Sequence, residues 1–320
     1  MGFRRLVKSG NTSFTLSIPI SWIRKNKLGA GSEIQIFETD QGDLLVSSDK
    51  KKNVSTKDKI ITIKVDDKDS DQINLEILLA YIRDYATIVL DGKEIASKSK
   101  DIITDLQNLI GLGIMEQSYD SITIKNFFSL DTETSPTNLL RKVDIVNRAS
   151  FKLLVSFFEH EFSQEDVFSL QKFEKQNERL FILINKSILK LIVEPDLMKN
   201  IQTNYLQVSK DNLFAQAFSH ISLNLLSLGK LCLFLDNKSK DAPLLRKNFD
   251  IVYKNYDDIV NSIINRDNRR INSFIKDFEH QNRRLDESLK NLEDTPMIQA
   301  TSFLIAINSH IRDLAFTALI

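Results

Sequence analysis

Six cations and no anions occupy the first 32 residues: Arg4, Arg5, Lys8, Arg24, Lys25 and Lys27 all precede the first acid, Glu33. A segment of that kind is suited to neutralising phosphate. Lysine and arginine displace counterions from a polyanion, and arginine forks onto phosphate oxygens. Ser9, Asn11, Thr12 and Ser13 lie between the two clusters of cations and offer short hydrogen-bonding groups for phosphate oxygens or base edges. Basic and acidic residues balance at 43 each over the whole chain, so the remainder carries −6. That segregation directs a polyanionic partner, expected to be double-stranded DNA, to the N-terminal segment alone.

Further along, Glu174 and Glu178 are spaced i,i+4 and share one helical face. Two readings stay open there: ligands for a divalent metal such as magnesium, or a solvated face beside Lys175 and Arg179. His220 and His310 each sit in a Ser-His-Ile triplet and read as hydrogen-bonded structural residues or as ligands. Ser219 and His220 are adjacent on a helix, so their side chains diverge and make no nucleophile–base pair. No GxSxG, HExxH or phosphate-loop sequence occurs, and the expectation is a protein that is not an enzyme. Cys232, the single cysteine, lies in the apolar run Leu231-Cys232-Leu233-Phe234-Leu235 and reads as a buried structural thiol in a reducing compartment. No apolar stretch is long enough to span a bilayer and no secretory leader is visible. A cytoplasmic protein without membrane insertion is the expectation.

The elements that must carry these residues differ along the chain. With 9 Gly and 5 Pro in 320 residues, helix is favoured over sandwich or barrel. Residues 1 to 48 read as short strands around one short helix, with Phe14 to Ile18 alternating, Ser21 capping a helix over 22–26, and Gln41-Gly42-Asp43 turning a hairpin. A unit of this size buries little core alone, so a homodimer is expected. Residues 49 to 59, rich in lysine, read as a linker or a second DNA-contacting tail. Residues 60 to 130 form a small α/β subdomain, with strands over 60–65, 87–90, 114–117 and 121–125 and helices over 73–85 and 99–110. From Pro136 the apolar period predicts six helices, over 136–161, 165–194, 203–236, 242–265, 267–292 and 295–320.

The helical half repeats itself. Phe173-Glu174-Lys175-Gln176-Asn177-Glu178-Arg179-Leu180 matches Phe278-Glu279-His280-Gln281-Asn282-Arg283-Arg284-Leu285 at six of eight positions. Ser219-His220-Ile221 matches Ser309-His310-Ile311 in the following helix of each set. Two copies of a three-helix bundle, over 136–236 and 242–320, follow.

These residues carry two resemblances. Arg4-Arg5-Leu6-Val7-Lys8-Ser9-Gly10-Asn11-Thr12-Ser13-Phe14-Thr15-Leu16-Ser17-Ile18-Pro19, with Trp22, Asn26-Lys27-Leu28 and Gly31-Ser32-Glu33-Ile34, resemble the SpoVT/AbrB family. The resemblance implies a swapped-hairpin β fold that dimerises and binds DNA, and the charge pattern makes Arg4, Arg5, Lys8, Asn11, Thr12, Ser13, Arg24, Lys25 and Lys27 the expected contacts. Residues 60 to 320, with Leu112-Gly113-Ile114-Met115-Glu116 as the link into the bundles, are similar to archaeal PhoU-like regulators. That similarity implies tandem three-helix bundles, a role in phosphate uptake and homeostasis, and a metal pattern of which Glu174 and Glu178 keep a version. Arg283 breaks the second copy of the pattern, and Ser219 and Ser309 stand where the family has Asp. The implied function is a DNA-binding transcriptional regulator whose bundles sense a ligand or a partner. The alternative is a dimeric scaffold that acts by contact on a phosphate transporter component or histidine kinase.

Overall fold

The computed structural model describes residues 4–10, 12–38, 44–48, 59–160 and 162–320. Asn11, the turn expected at 41–43, residues 49–58 of the expected linker and the helix end expected at 161 lie outside the described residues. The protein is mainly helical, with a small N-terminal β region and a four-stranded sheet. It divides into two compact units, 1–58 and 59–320.

The first unit holds two separate antiparallel hairpins and one short helix. Strand β1 (Val7–Ser9) pairs β2 (Ser13–Thr15), with Lys8 opposite Phe14. The left-handed φ of 77° at Gly10 turns this hairpin. Pro19 ends the extended run and becomes the N-cap of α1 (Ile20–Lys25), so the helix starts before the expected Ser21 cap. Lys27 at φ 55° stops it. Strands β3 (Gln35–Glu38) and β4 (Leu44–Ser47) form the second hairpin. Ser48 donates to Asn26 Oδ1 at 2.8 Å, tying the end of β4 to the exit of α1.

The second unit opens with an α/β segment. Strand β5 (Ile60–Lys64) runs parallel to β6 (Thr87–Asp91) through α2 (Ser70–Ile82). After α3 (Ile95–Leu106), the hairpin β7 (Leu112–Gln117) and β8 (Ser121–Asn126) returns so that β8 inserts beside β6, giving the order β5-β6-β8-β7. Alternation buries Ile63, Ile88, Leu90, Ile122 and Ile124 on one face, as period-2 patterning requires. Helix α2 begins three residues ahead of the expected 73 because Asp69 and Gln72 form a reciprocal capping box.

Seven helices follow: α4 (Pro136–Val155), α5 (Gln164–Val193), the short α6 (Asp196–Asn200), α7 (Tyr205–Cys232), α8 (Ala242–Ile264), α9 (Asn268–Leu289) and α10 (Thr295–Leu319). Helix α4 stops short of the expected 161 because the chain tightens into a 3-10 turn over Ser156–Phe158. Helix α6 adds to the six helices expected from the apolar period. It is one turn packed after the Glu194-Pro195 break, with Met198 as its buried anchor. Helix α10 starts at the expected residue 295, with Asp294 as its N-cap.

Helices α4, α5 and α7 pack on one another, and so do α8, α9 and α10. The two sets meet along α7 and α10, which run antiparallel, since Lys210 reaches the Ala318 carbonyl at 3.5 Å while His220 meets His310. On the α4–α8 side, Phe151 stacks on Tyr253 at 5.0 Å and leans on Tyr256 and Phe249. Arg148 spans the same seam. It forks onto Asp144 at 2.9 and 3.0 Å, pairs with Asp257, and donates to Asn261 at 3.2 Å.

The α/β segment is fastened to α5 by a buried ion cluster. The Lys186 side chain is fully buried, donates to the Tyr81 carbonyl at 2.8 Å and lies 3.1 Å from Asp84 Oδ1, with its ammonium 3.8 Å from the Tyr81 ring centre. Lys190 pairs with the other Asp84 oxygen. Burial draws the Lys186 ammonium down to about 8, against the opposing pull of Asp84. Burial also pushes the Asp84 carboxyl up, but Lys190 and Lys186 outweigh it and hold Asp84 below the ordinary carboxylate range.

Candidate nucleic-acid interface

The basic residues fall on two pieces of the first unit. Arg4 and Arg5 lead into β1, Lys8 is its central residue, and Thr12 and Ser13 form the turn and the start of β2. Arg24 and Lys25 occupy the last turn of α1, where cations complement the helix dipole, and Lys27 follows it. Each of these eight residues is exposed. Within the hairpin, Thr15 Oγ1 donates to the Val7 carbonyl at 3.2 Å and the Ser13 hydroxyl donates to the Ser9 carbonyl, so Ser13 is engaged in holding the turn.

The described apolar residues of the unit form no buried core. Leu6, Val7, Phe14, Leu16, Ile20, Ile36 and Leu44 are all between 50% and 66% exposed, and no apolar residue of the unit is buried among the described residues. The hairpins β1–β2 and β3–β4 do not join into one sheet. Seven large apolar side chains left in water over so short a segment represent several kcal/mol of unrealised burial, at about 1.5–3 kcal/mol for each fully buried side chain. The cations thus stand on a scaffold whose described apolar side chains are largely exposed.

The second candidate, the carboxylate pair, resolves differently. Glu174 is half-buried and Glu178 exposed on α5. Burial, and then the neighbouring Glu178 carboxylate, raise the Glu174 carboxyl, while Lys230 opposes them. Among the described residues no group of three or more His, Cys, Asp or Glu is placed to hold a metal ion. Ser309, at a position where the PhoU-like pattern has Asp, turns its hydroxyl back onto the Ile305 carbonyl at 3.1 Å.

The identical letters of the repeat have a structural account that sequence reasoning missed. Asn177 is fully buried and donates to Asn147 Oδ1 and to Ser222 Oγ, both at 2.9 Å. Its repeat partner Asn282 accepts from Asn308 at 3.5 Å, and Asn308 in turn accepts from Asn255 at 2.9 Å. Asn255 also donates to Gln281 at 3.0 Å. Each set of helices therefore carries one buried amide layer. The signal is present as a matching Asn inside an otherwise apolar-periodic motif. The carboxylates beside it draw attention first, because they alone carry ligand chemistry.

A groove of about 590 Å³ runs between α8 and α9, lined with Lys254, Asp258, Arg270, Asp277, Gln281 and Arg284. Cys232 is buried, and burial pushes its thiol up to about 12, so it is an inert packing residue. No helix among the described residues is long and apolar enough to cross a membrane. In comparisons with known proteins, no family model, no curated protein and no solved structure matches this chain.

Proposed function

We propose that the chain is a dimeric DNA-binding regulator. In this reading its N-terminal unit, of the SpoVT/AbrB kind, grips duplex DNA, and its helical unit, of the PhoU-like kind, senses a ligand or partner in phosphate uptake and homeostasis. The observation that carries the reading is the acid-free stretch of 32 residues whose six cations are all exposed, in a unit whose described residues bury no apolar side chain. Pairing of two such units as a swapped dimer covers Leu6, Phe14, Leu16 and Ile36 and doubles the cations to twelve. That is the footprint of phosphate-backbone binding. The phosphate role rests on the resemblance of residues 60 to 320, and the mixed-charge groove between α8 and α9 is where a small anionic signal has both cations and hydrogen-bond donors to meet.

The test is a salt titration of duplex binding by the full-length protein. Affinity is expected to fall steeply with salt. Arg4→Ala with Arg5→Ala removes four cations per dimer and is expected to flatten that dependence, by up to about 0.9 for each phosphate that is no longer neutralised. Salt-insensitive binding, or a slope untouched by the double substitution, would count against the reading. The exposed apolar side chains also suit a pure dimerisation clasp on a scaffold protein. That alternative predicts a dimer with no duplex affinity in the same titration.

A further inference from the structure

The antiparallel packing of α7 on α10 brings the two Ser-His-Ile triplets together, so that equivalent positions of the repeat face each other. The rings of His220 and His310 have centroids 4.7 Å apart and planes tilted by 45°. Two imidazoles on one tetrahedral metal ion, at metal–nitrogen distances of about 2.0–2.1 Å, have centroids roughly 5 Å apart. The observed separation of 4.7 Å is close to that value.

Asp313, one turn along α10, adds a second and independent observation. Its Oδ2 lies 3.3 Å from Nδ1 of His310. A carboxylate only accepts hydrogen bonds, so Nδ1 carries the proton and Nε2 keeps its lone pair. A carboxylate holding the far nitrogen in this way is how metal-binding imidazoles are usually oriented. The nearby cation Arg312 has its guanidinium over the Phe278 ring, 4.9 Å from the ring centre, and approaches only the other Asp313 oxygen at 3.9 Å.

We propose that His220 and His310 form a two-imidazole site for a divalent transition-metal ion of the zinc, nickel and copper class, which ties the last helix of one repeat to the last helix of the other. Water completes the shell, and Asp313 is a positioning residue acting through His310. This site is separate from the Glu174–Glu178 pair on α5, and it does not depend on the DNA-binding reading.

The experiment is calorimetric titration of metal-stripped full-length protein with zinc ion alone. The expected result is one saturable equivalent per chain. Affinity should drop by tenfold or more in His220→Ala and in His310→Ala, and by about tenfold in Asp313→Asn. A His160→Ala and His280→Ala double variant, which alters the two histidines outside the pair, should bind as the parent does. Far-UV circular dichroism checks that each variant folds, and His220→Gln replaces any that does not. Copper(II) bound to the parent should show two nitrogen ligands by electron paramagnetic resonance, and one in either single variant. No saturable zinc uptake by the parent, or uptake unchanged in both single variants, overturns the proposal.

Discussion

At the scale of single residues, the same few letters serve different physics in the two halves of the chain. In the first unit, Arg5, Lys8, Arg24, Lys25 and Lys27 are exposed on the surface. In the second, Asn147, Asn177, Asn255 and Asn308 are buried and partnered with one another or with Ser222 and Gln281. A buried amide costs free energy unless it is satisfied, so such layers penalise any helix register that separates the partners. Asn177→Ala would leave Asn147 Oδ1 and Ser222 Oγ without their donor. The expected loss is about 1–3 kcal/mol, read as a lower urea midpoint at unchanged slope. An unaltered midpoint would show that the layer contributes nothing to stability.

At the scale of elements, the junctions are more specific than the elements they join. Helix α5 is anchored to the α/β segment through Lys186, Lys190 and Asp84, and Asp84 sits at φ 58° just after α2. Lys186 releases its proton near pH 8 in the folded protein and near 10.5 as an unperturbed side chain. Between those values the unfolded chain binds more protons, so stability rises with pH. Below pH 8 both states are protonated and the full burial cost remains. Comparison of urea unfolding for the parent and Lys186→Met should show the parent gaining up to about 3 kcal/mol relative to the variant from pH 8 to 10.5, with a flat difference below pH 8. A difference that stays flat from pH 8 to 10.5 would mean that Lys186 is held charged by Asp84. Helices α5 and α7 meet closely at Gly229, where an added Cβ would lie 2.0 Å from Leu170 Cδ1 and 3.5 Å from Leu154 Cδ2. Gly229→Val should therefore destabilise by about 1–3 kcal/mol through overpacking, despite removing a helical glycine. Thermal unfolding measures this directly.

At the scale of the whole molecule, the two units differ in what they need in order to fold. Residues 59–320 own a continuous buried core from Ile63 to Ala315, whereas the described residues before them bury no apolar side chain. A protein starting at residue 59 should keep its helical circular dichroism and a cooperative melt, and should lose all duplex affinity. Retained duplex binding would move the nucleic-acid interface into the helical unit and remove the reason for assigning it to Arg4, Arg5 and their neighbours.

By itself the sequence determined the six long helices of the second half to within several residues at their ends, and it missed the one-turn α6. Apolar spacing, Pro136, the Glu194-Pro195 break and Asp241-Ala242-Pro243 are local signals, and the helices begin and end within a few residues of them. It also determined the charge segregation, which is a property of composition and needs no fold. Where local rules competed, the sequence was less decisive: α2 begins at its capping box ahead of its apolar stripe, and the alternation from Phe14 to Ile18 yields a strand only over Ser13–Thr15. Tertiary structure alone decided which residues meet. The pairing of Lys186 with Asp84, far apart in the chain, the two amide layers, and the approach of the His220 ring to the His310 ring across the repeat all depend on helix packing. Helix packing is set by summed side-chain complementarity over whole faces, and no single spacing encodes it.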